Sequence, residues 1–518
     1  MIRLPGATKL AAITIALSAF MLAAPPASAA GKDPSERVRV SVAFKPGAAA
    51  AMRAAIANAG GRVVFEFEEV NAVAIDVPRR ALAKLKASPY ALFVEEDVTR
   101  HVMRAKPGAT STAQTVPYGI TMVQADQVSD SAASNRTLCI VDSGIDAAHE
   151  DHQGNHLDGI NLSGSGDWST DENSHGTHVA GTVAAVNNTI GVVGVLPNKQ
   201  LNLYIVKVFD ASGQAKSSTI VKGMLSCRKA GANVISMSLG SADSSKLEQL
   251  VVTFLAKRKV LLIAAAGNLG DTSISYPAGY AEVVSVAAVD SSKAHASFSQ
   301  SNADVEISGP GVSVLSTVPM GTGTDASASA GGTSYAVIGV EGSPYATASA
   351  GLYNFGIGDA VDPGATGKVC LIARGSIPFS DKVLNCQNSG GVAALIYNNV
   401  PGPLNATLNG VATAIPSVGA DGNDAASLLS KVGQTATVTV AQSNYALFDG
   451  TSMATPHVSA VAALVWSLHD NCTAAQMRDS LNKSAMDLGP AGRDNDFGYG
   501  LVQAKAANDR ITAMGCGN

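Results

Sequence analysis

Residues 450–457 read Gly-Thr-Ser-Met-Ala-Thr-Pro-His and continue directly into an apolar stretch with helical periodicity. Small residues and a hydroxyl group therefore lie where a helix begins. Unpaired backbone N–H groups and the positive end of the helix dipole surround such a position. Ser452 is thus a candidate nucleophile if a base can reach it. On its own, the pattern is more typical of a helix cap in front of a buried helix.

Two other segments supply the groups that a serine nucleophile needs. Residues 138–146 read Leu-Cys-Ile-Val-Asp-Ser-Gly-Ile-Asp, a buried β-run that ends at the carboxylate of Asp142. Residues 173–182 read Asn-Ser-His-Gly-Thr-His-Val-Ala-Gly-Thr and place His175 at the start of a small-residue helix. Either residue alone is more often structural. Together with Ser452 they give a carboxylate, an imidazole and a hydroxyl in the chain order of subtilisin.

The three segments resemble the catalytic signatures of the subtilisin-like serine proteases. The resemblance implies that Ser452 is the nucleophile and that His175 is the general base and then the general acid. Asp142 would orient the imidazole and stabilise its protonated form. Asp146 and His178 belong to the same motifs, but we expect them to make local hydrogen bonds only.

A fourth segment, residues 260–268, is an apolar run that ends in Gly-Asn. These residues could form only a turn, but the resemblance assigns the Asn268 amide and the Ser452 backbone N–H to the stabilisation of an oxyanion. It also places residues 238–240 and 211–214 on two sides of a groove that holds an extended peptide as an added strand. The expected substrate-binding residues are Ser212, Gly213, Ser238, Leu239, Gly240 and Ser275. Because no acidic residue marks the expected pocket floor at residues 275–277, we expect medium to large apolar side chains there.

Residues 186–197 resemble the calcium loop of the same family. The alternative is a glycine-rich connection that binds no metal. By resemblance, the loop gives three backbone carbonyls and one side-chain oxygen, and two distant residues complete the set. The implied ligands are Gln114, Asp151, Val186, Asn188, Ile190 and Val192. Hard oxygen ligands with one carboxylate suit Ca²⁺.

From residue 113 onward, apolar strands alternate with helices. This alternation predicts a parallel sheet covered on both faces, with functional residues at the strand ends. The predicted fold class is α/β, and the resemblance specifies a subtilisin-like three-layer fold with a parallel central sheet. The two parts of the predicted catalytic domain are residues 104–319 and 445–518.

Residues 31–103 carry a βαββαβ pattern that ends in Val94-Glu-Glu-Asp97. The pattern resembles the propeptide of subtilisins, a small α+β domain that acts as chaperone and inhibitor; an unrelated α+β domain is the alternative. By this resemblance, the end of the propeptide occupies the active site. Cleavage is expected after Met103, or later trimming starts the mature chain near Ala113.

Residues 320–444 interrupt the catalytic pattern. Their strand-like segments, such as Val369-Cys-Leu-Ile-Ala-Arg-Gly375, resemble an inserted, β-rich protease-associated domain, and an unrelated inserted domain is the alternative. Residues 321–332 are rich in Gly, Ala, Ser and Thr, which predicts a loop or linker.

The chain has 518 residues, of which 46% are hydrophobic and 15% charged, and its net charge of −5 gives no reason to expect nucleic-acid binding. Residues 1–29 combine a basic start, an apolar run and Ala27-Ser-Ala29, as in a secretory signal peptide. The apolar run is shorter than the roughly 20 residues of a membrane anchor. We therefore expect a secreted protein without a membrane anchor.

The six cysteines form an even set in a chain with an export signal, which predicts disulfides. Local grouping favours the pairs Cys370–Cys386 and Cys472–Cys516. Cys139 and Cys227 either pair or remain free buried thiols. No Cys-x-x-Cys spacing indicates a zinc site.

These features together predict a monomeric, secreted serine endopeptidase made as a self-processing zymogen. Its partners would be protein and peptide substrates and its own propeptide. A non-catalytic binding protein would be expected to lack some of the four active-site residues, and all four are present. An acyl-transferring relative is disfavoured by Ser rather than Cys at position 452.

Overall fold

The computed structural model describes residues 35–103 and 114–517, so the predicted signal peptide lies outside the described residues. The first unit is an antiparallel sheet in the order β2-β3-β1-β4 with two helices. Its elements are β1 (Arg37–Phe44), α1 (Ala49–Asn58), β2 (Arg62–Phe67), β3 (Ala72–Pro78), α2 (Leu82–Lys86) and β4 (Ala91–Glu96). A further short strand, β5 (Thr99–Val102), leaves this sheet and joins the next unit.

The second unit contains a seven-stranded, fully parallel sheet in the order β14-β13-β12-β10-β6-β8-β7. Its elements are α3 (Tyr118–Met122), β6 (Thr137–Asp142), β7 (His156–Asn161), α4 (His175–Ala184), β8 (Asn202–Lys207), β9 (Gln214–Lys216), α5 (Ser217–Lys229), β10 (Val234–Met237), β11 (Leu239–Gly240), α6 (Lys246–Lys257), β12 (Leu261–Ala265), β13 (Val283–Val289), β14 (Val305–Pro310) and β15 (Val314–Thr317). The predicted α/β class is confirmed.

The residues of β6 show how this sheet is covered on both faces. Leu138 and Ile140 belong to an apolar core that includes α4, whereas Cys139 and Val141 belong to the core that includes α5 and α6. Successive side chains of a strand point to opposite faces, so one strand serves both cores. The result is the three-layer arrangement that the sequence predicts.

The third unit interrupts the second and forms an eight-stranded sheet in the order β17-β16-β23-β19-β20-β21-β22-β18. Its elements are β16 (Gly323–Ala330), β17 (Thr333–Tyr335), β18 (Val337–Gly339), β19 (Ala346–Asn354), β20 (Val369–Ala373), α7 (Phe379–Asn388), β21 (Ala393–Tyr397), β22 (Ser417–Ala420), α8 (Ala425–Ser430) and β23 (Thr435–Ser443). We call residues 323–443 the inserted unit.

The loop predicted for residues 321–332 is wrong in its central part. Gly323–Ala330 form β16 and pair with β23 along the whole strand. Ala328 and Ala330 are buried in the core of the inserted unit. Small side chains gave no apolar alternation in the sequence, and pairing with a distant strand decided the conformation.

The chain returns from the inserted unit at the point where it left. Thr317 of β15 pairs with Tyr445 of the next strand, β24 (Tyr445–Phe448). The remaining helices are α9 (Thr451–Leu468), α10 (Ala474–Ser484) and α11 (Ala504–Met514). Helix α9 is buried from Thr451 to Ser467. Nevertheless, no helix within residues 35–103 and 114–517 has the combined length and apolar character of a membrane span.

Three disulfides join the cysteines. The predicted pairs Cys370–Cys386 and Cys472–Cys516 are confirmed. Cys139 and Cys227, left open by the sequence, also pair and tie β6 to α5.

Candidate active site

Asp142 and His175 meet at the carboxyl end of the parallel sheet. Asp142 is the last residue of β6, and His175 is the first residue of α4. His175 Nδ1 lies 2.7 Å from Asp142 Oδ1, and both side chains are completely buried. Because an aspartate oxygen accepts, Nδ1 carries the proton and leaves Nε2 with a lone pair. Within residues 35–103 and 114–517, Nε2 has no hydrogen-bond partner.

A buried carboxylate that the sequence analysis missed organises the start of α4. Asp171 accepts hydrogen bonds from Ser143 Oγ at 2.8 Å, from the Asn173 backbone N–H at 3.0 Å and from the Thr177 hydroxyl at 2.7 Å. Burial raises the pKa of this carboxyl above its usual range. Its signal in the sequence was an acid four residues before the histidine, which is ambiguous because acids also cap helices and turns.

Ser452 is the second residue of α9, and its hydroxyl donates to the Ser238 carbonyl at 3.0 Å. The Ser238 hydroxyl donates in return to the Ser452 carbonyl at 2.8 Å. That carbonyl is available because Pro456, four residues later, has no N–H to donate. The proline in the motif thus leaves a free acceptor that holds the start of α9 against the residue following β10.

The Asn268 side chain lies beside the same helix start, three residues after β12. Its Oδ1 accepts from the Thr451 backbone N–H at 2.9 Å and from the Thr451 hydroxyl at 2.8 Å. A backbone N–H can only donate, so these contacts fix which end of the amide is the oxygen. Asn268 Nδ2 is then inaccessible to solvent and has no partner in the described part of the chain. An unpaired buried donor of this kind costs roughly 1–3 kcal/mol, which a ligand oxygen would recover.

Strand β5 from the first unit lies in a groove between β11 and β9 of the second unit. Val102 pairs antiparallel with Leu239, and His101 pairs with Gly240 on one side and with Gln214 on the other. The Val102 backbone N–H also donates to the carbonyl of Gly213 at 3.1 Å.

The remaining expected groove residues play different parts. The Ser212 backbone N–H and hydroxyl bind Asp210 Oδ1, at 2.8 and 2.5 Å, and not β5. Ser238 contacts the start of α9. Ser275 lies in a cavity of 240 Å³. The cavity is lined by Val102, Met103, Gly240, Ser241, Ala242, Asn268, Leu269, Ser273, Ile274, Ser275 and Gln300, none of which is charged.

The predicted calcium ligands converge around the side chain of Gln114. Its Nε2 lies 3.3 Å from the Val186 carbonyl, 3.2 Å from Asn188 Oδ1 and 3.2 Å from the Ile190 carbonyl. Three oxygens thus point at one position, which an amide nitrogen fills. Rotating the amide by 180° would add a fourth oxygen, Oε1, and the two ends of an amide are assigned from such contacts alone.

Asp151 completes this cluster. Its Oδ1 accepts from Asn188 Nδ2 and its Oδ2 from the Val192 backbone N–H, both at 2.8 Å. Burial raises the pKa of the Asp151 carboxyl. Gly191 has a φ of 59°, and a Cβ there would lie 2.3 Å from Asp151 Oδ2. A glycine is therefore required for the loop to approach the carboxylate, and the donor set fits a hard cation.

Asp146 and His178 make structural hydrogen bonds, but these reach distant segments of the chain and are not confined to neighbouring residues as we expected. Asp146 Oδ2 accepts from the Met320 backbone N–H at 2.9 Å. His178 Nε2 lies 2.9 Å from the Val314 carbonyl, and its ring stacks on Phe448 with centroids 4.3 Å apart. Burial lowers the pKa of His178 to about 3, so this imidazole is neutral in the folded protein.

The sequence profile of the subtilase family matches residues 133–352 and 389–500. The chain belongs to the subtilase family. A profile of the PA domain matches residues 333–428, within the inserted unit. This subtilase is a subtilisin-like serine peptidase with an α/β catalytic fold and an inserted protease-associated domain.

Individual relatives agree with this membership. Subtilisin E of Bacillus subtilis (strain 168) is 37% identical over 313 residues, which cover 57% of this chain and 77% of the relative. The alkaline protease of Alkalihalobacillus alcalophilus is 40% identical over 273 residues, covering 50% of this chain and 65% of the relative.

Two solved structures are similar to this chain. The psychrophilic subtilisin-like protease Apa1 from the Antarctic psychrotroph Pseudoalteromonas sp. AS-11 has a TM-score of 0.64 at 42% identity, covering 78% of this chain and 100% of that one. Fervidolysin from Fervidobacterium pennivorans, described as a keratinolytic enzyme related to subtilisin, has a TM-score of 0.60 at 21% identity, covering 92% of this chain and 62% of that one. The likeness to fervidolysin concerns the fold alone.

Proposed function

We propose that this subtilase is a secreted endopeptidase that uses Ser452, His175 and Asp142 as its catalytic residues and Asn268 as an oxyanion donor. The supporting observation is the 2.7 Å contact between His175 and Asp142, which leaves His175 Nε2 without a partner in the described residues. Two buried groups without partners in the described residues are His175 Nε2 and Asn268 Nδ2. His175 belongs to α4 and Asn268 follows β12, and both of these elements pack against α9, which carries Ser452. The imidazole nitrogen is suited to accept a proton, and the amide to bind a developing negative charge.

In the proposed reaction, the Ser452 hydroxyl turns from the Ser238 carbonyl towards His175 Nε2 and attacks the substrate carbonyl. Nε2 takes the hydroxyl proton and then gives it to the leaving amine, so that an acyl-enzyme forms. Water attacks the ester by the same route in reverse and releases the acid. Asp142 holds the imidazole in the Nδ1–H tautomer and stabilises its charged form.

Casein hydrolysis tests this assignment. Once a second protease has removed residues before 104 and has been inactivated, Ser452→Ala is expected to show about 10⁶-fold lower turnover, the scale of the corresponding loss in subtilisin, and no labelling by a fluorophosphonate. Ser459→Ala is the matched control, because Ser459 is a buried serine of the same helix whose hydroxyl bonds to Ser236. The control should keep both activities. Casein hydrolysis by folded Ser452→Ala would refute the assignment.

We further propose that residues 31–103 are an inhibitory propeptide. The support is that β5 lies in the groove between β11 and β9, and that Met103, which follows β5, lines the same cavity as Asn268. Two acids also attach this unit to helix starts of the second unit, which carries Asp142, His175 and Ser452 and which we call the catalytic unit. Glu95 accepts from the Leu247 backbone N–H at 3.0 Å, and Asp97 accepts from the Ser218 backbone N–H at 3.0 Å. A bound strand in the groove excludes substrate until it is removed.

This arrangement favours self-cleavage after Met103, and a medium to large apolar side chain at that position in substrates. Trimming to a mature start near Ala113 remains the second possibility, and residues 104–113 lie outside the described ranges. N-terminal sequencing of the secreted active enzyme distinguishes the two starts. An active enzyme that retains residues before about 100 would contradict the zymogen proposal, and Ser452→Ala should remain unprocessed.

Calcium is proposed as a structural ion. Asp151, the carbonyls of Val186, Ile190 and Val192, and the side-chain oxygens of Gln114 and Asn188 would hold it. The ion would supply a charge that stabilises the folded loop and has no part in the reaction.

The proposed division of the chain completes this account. It comprises a signal peptide at residues 1–29, a propeptide at 31–103, catalytic parts at 104–319 and 445–518, and the inserted domain at 320–444. The separate sheets and apolar cores of the described units support this division.

A further inference from the structure

Arg100 of β5 is completely buried, although it belongs to a strand that lies in an open substrate groove. Its Nη2 and Nε contact Glu248 Oε2 and Oε1 at 2.5 and 3.2 Å. Its Nη1 donates to the Ser241 hydroxyl at 2.6 Å and to the Asp243 carbonyl at 2.8 Å. The guanidinium is therefore held by a two-point ion pair and two further hydrogen bonds.

All the groups that receive Arg100 belong to the catalytic unit. Glu248 is the third residue of α6, is completely buried, and accepts from the Ser217 hydroxyl at 3.1 Å. Its backbone N–H donates to the Ser245 hydroxyl at 3.2 Å, so the helix start is capped. Ser217 and Ser245 belong to the catalytic unit itself, so they remain part of the surroundings of this carboxylate when the propeptide leaves.

The register of β5 defines which substrate residue would reach this carboxylate. Arg100 pairs with Ala215 of β9, and His101 pairs with Gly240 of β11. Met103 lines the cavity that Asn268 also lines. If the Met103 carbonyl is the one attacked, Arg100 is the fourth residue counting backwards from the cleaved bond.

A buried carboxylate without a positive partner is costly, and removing one partner of a buried pair is strongly unfavourable. The planar guanidinium matches a carboxylate at two points, whereas a lysine offers a single point charge and leucine offers nothing. A substrate with arginine at the fourth position would therefore replace the contacts that the propeptide makes.

We propose that Glu248 makes this peptidase selective for protein substrates with arginine at the fourth position before the cleaved bond. The inference rests on the proposed catalytic function. Glu248 would recognise the fourth substrate residue by its charge, whereas the uncharged cavity would receive the residue directly before the cleaved bond. Sequence analysis missed it because a Glu in the first turn of a helix is ordinarily read as a helix-stabilising charge.

The test uses mature wild-type enzyme and four fluorogenic peptides, Xaa-His-Val-Met, where Xaa is Arg, Lys, Gln or Leu. We expect kcat/KM for the Arg peptide to exceed that for the Leu peptide by at least about 30-fold, with Lys between them. Equal or better cleavage of the Leu peptide would overturn the selectivity and leave the peptidase assignment intact. Failure to cleave any of the four peptides or casein would instead contradict the proposed function.

A variant identifies the carboxylate. Glu248→Gln should reduce the Arg-to-Leu ratio to less than about threefold. The precursor of the Glu248→Gln variant also carries Arg100→Gln. Without this second change, the buried Arg100 guanidinium would lose its carboxylate partner before the propeptide is removed. Glu282→Gln is the control, because Glu282 accepts from Thr253 of the same helix at 2.7 Å and does not contact Arg100.

Active-site titration with a fluorophosphonate normalises every rate to correctly folded enzyme. If titrated Glu248→Gln keeps the wild-type ratio, Glu248 is not the determinant and the proposal is wrong. If Glu282→Gln lowers the Arg-to-Leu ratio as much as Glu248→Gln does, the selectivity arises from the overall charge of the enzyme, and the proposal is also wrong.

Discussion

The catalytic unit and the inserted unit differ in how many of their buried polar side-chain atoms lack hydrogen-bond partners in the described residues. In the described residues, the catalytic unit keeps His175 Nε2 and Asn268 Nδ2 buried without hydrogen-bond partners, together with atoms outside the proposed active site such as His178 Nδ1. In the inserted unit, the only such side-chain atom among the residues described is Thr413 Oγ1. Both units have their own apolar cores. Apolar burial therefore accounts for the folding of both units, and only the catalytic unit combines an unpaired imidazole nitrogen with an unpaired amide donor at the proposed active site.

A matched pair of asparagine substitutions gives the largest test of this difference. Asn268→Ala should lower kcat by about 10²–10³, or roughly 2.7–4 kcal/mol, the range measured for the oxyanion Asn of a subtilisin. The control is Asn398→Ala in the inserted unit, where Asn398 is buried but binds Arg374 at 3.0 Å and Gly402 at 3.1 Å. It should reduce stability and leave kcat on a short peptide within about threefold. A wild-type kcat for Asn268→Ala would contradict the proposal that Asn268 stabilises the oxyanion.

Chelation tests whether stability of the catalytic unit also depends on an ion. With EGTA, the mature enzyme should inactivate faster, because an ion at about 100 times its Kd stabilises the folded state by about 2.7 kcal/mol. Excess calcium should restore the original rate, and Asp151→Asn should be less sensitive to the chelator. Metal analysis must first show that EGTA has removed the ion. If the inactivation rate is then unchanged, the result contradicts the calcium site.

The pH dependence of unfolding should arise mainly in the catalytic unit, since residues 320–444 contain no histidine. The pKa of His178 falls from 6.5 to about 3 on burial, so the unfolded chain binds a proton that the folded protein does not between these values. The free energy of unfolding should therefore decrease as pH falls from about 6.5 towards 3, by up to about 1.4 kcal/mol per pH unit for this residue.

Urea unfolding of the Ser452→Ala precursor measures this slope without autolysis. His178→Gln should make the slope shallower, whereas His156→Gln, at an exposed position, should leave it unchanged. Identical slopes for His178→Gln and its parent would show that His178 does not contribute.

Removing the inserted unit should have the smallest effect on chemistry. Gly323 and Ser443 are paired neighbours, so residues 324–442 can be replaced by a two-residue Asn-Gly turn. We expect kcat/KM on a short peptide to change by less than about threefold, because the side-chain hydrogen bonds of Ser452, His175 and Asn268 in the described residues all come from outside this unit. A larger loss on the peptide would show that the unit supports the reaction itself. A change confined to folded protein substrates would assign it to substrate access.

Sequence alone determined much of the fold and the proposed reaction centre. The alternating strands and helices predicted the parallel sheet, and three motifs supplied Asp142, His175 and Ser452. These signals are local, because a hydrophobic period or a functional motif is contained within a few neighbouring residues. The failure at Gly323–Ala330 has the opposite cause, since small side chains carry no period and the partner strand lies more than a hundred residues away.

The tertiary structure decided the features that depend on contacts between distant segments. It joined Cys139 to Cys227 and turned the Asn268 amide so that its donor has no partner among the residues that the structure describes. It also brought Arg100 of the first unit against Glu248 of the second. Neither residue has an unusual neighbourhood in the chain, and burial of the pair follows only from the register of β5 in the groove. The sequence thus specified which chemical groups are present, whereas folding specified which of them lack partners and which find one across the molecule.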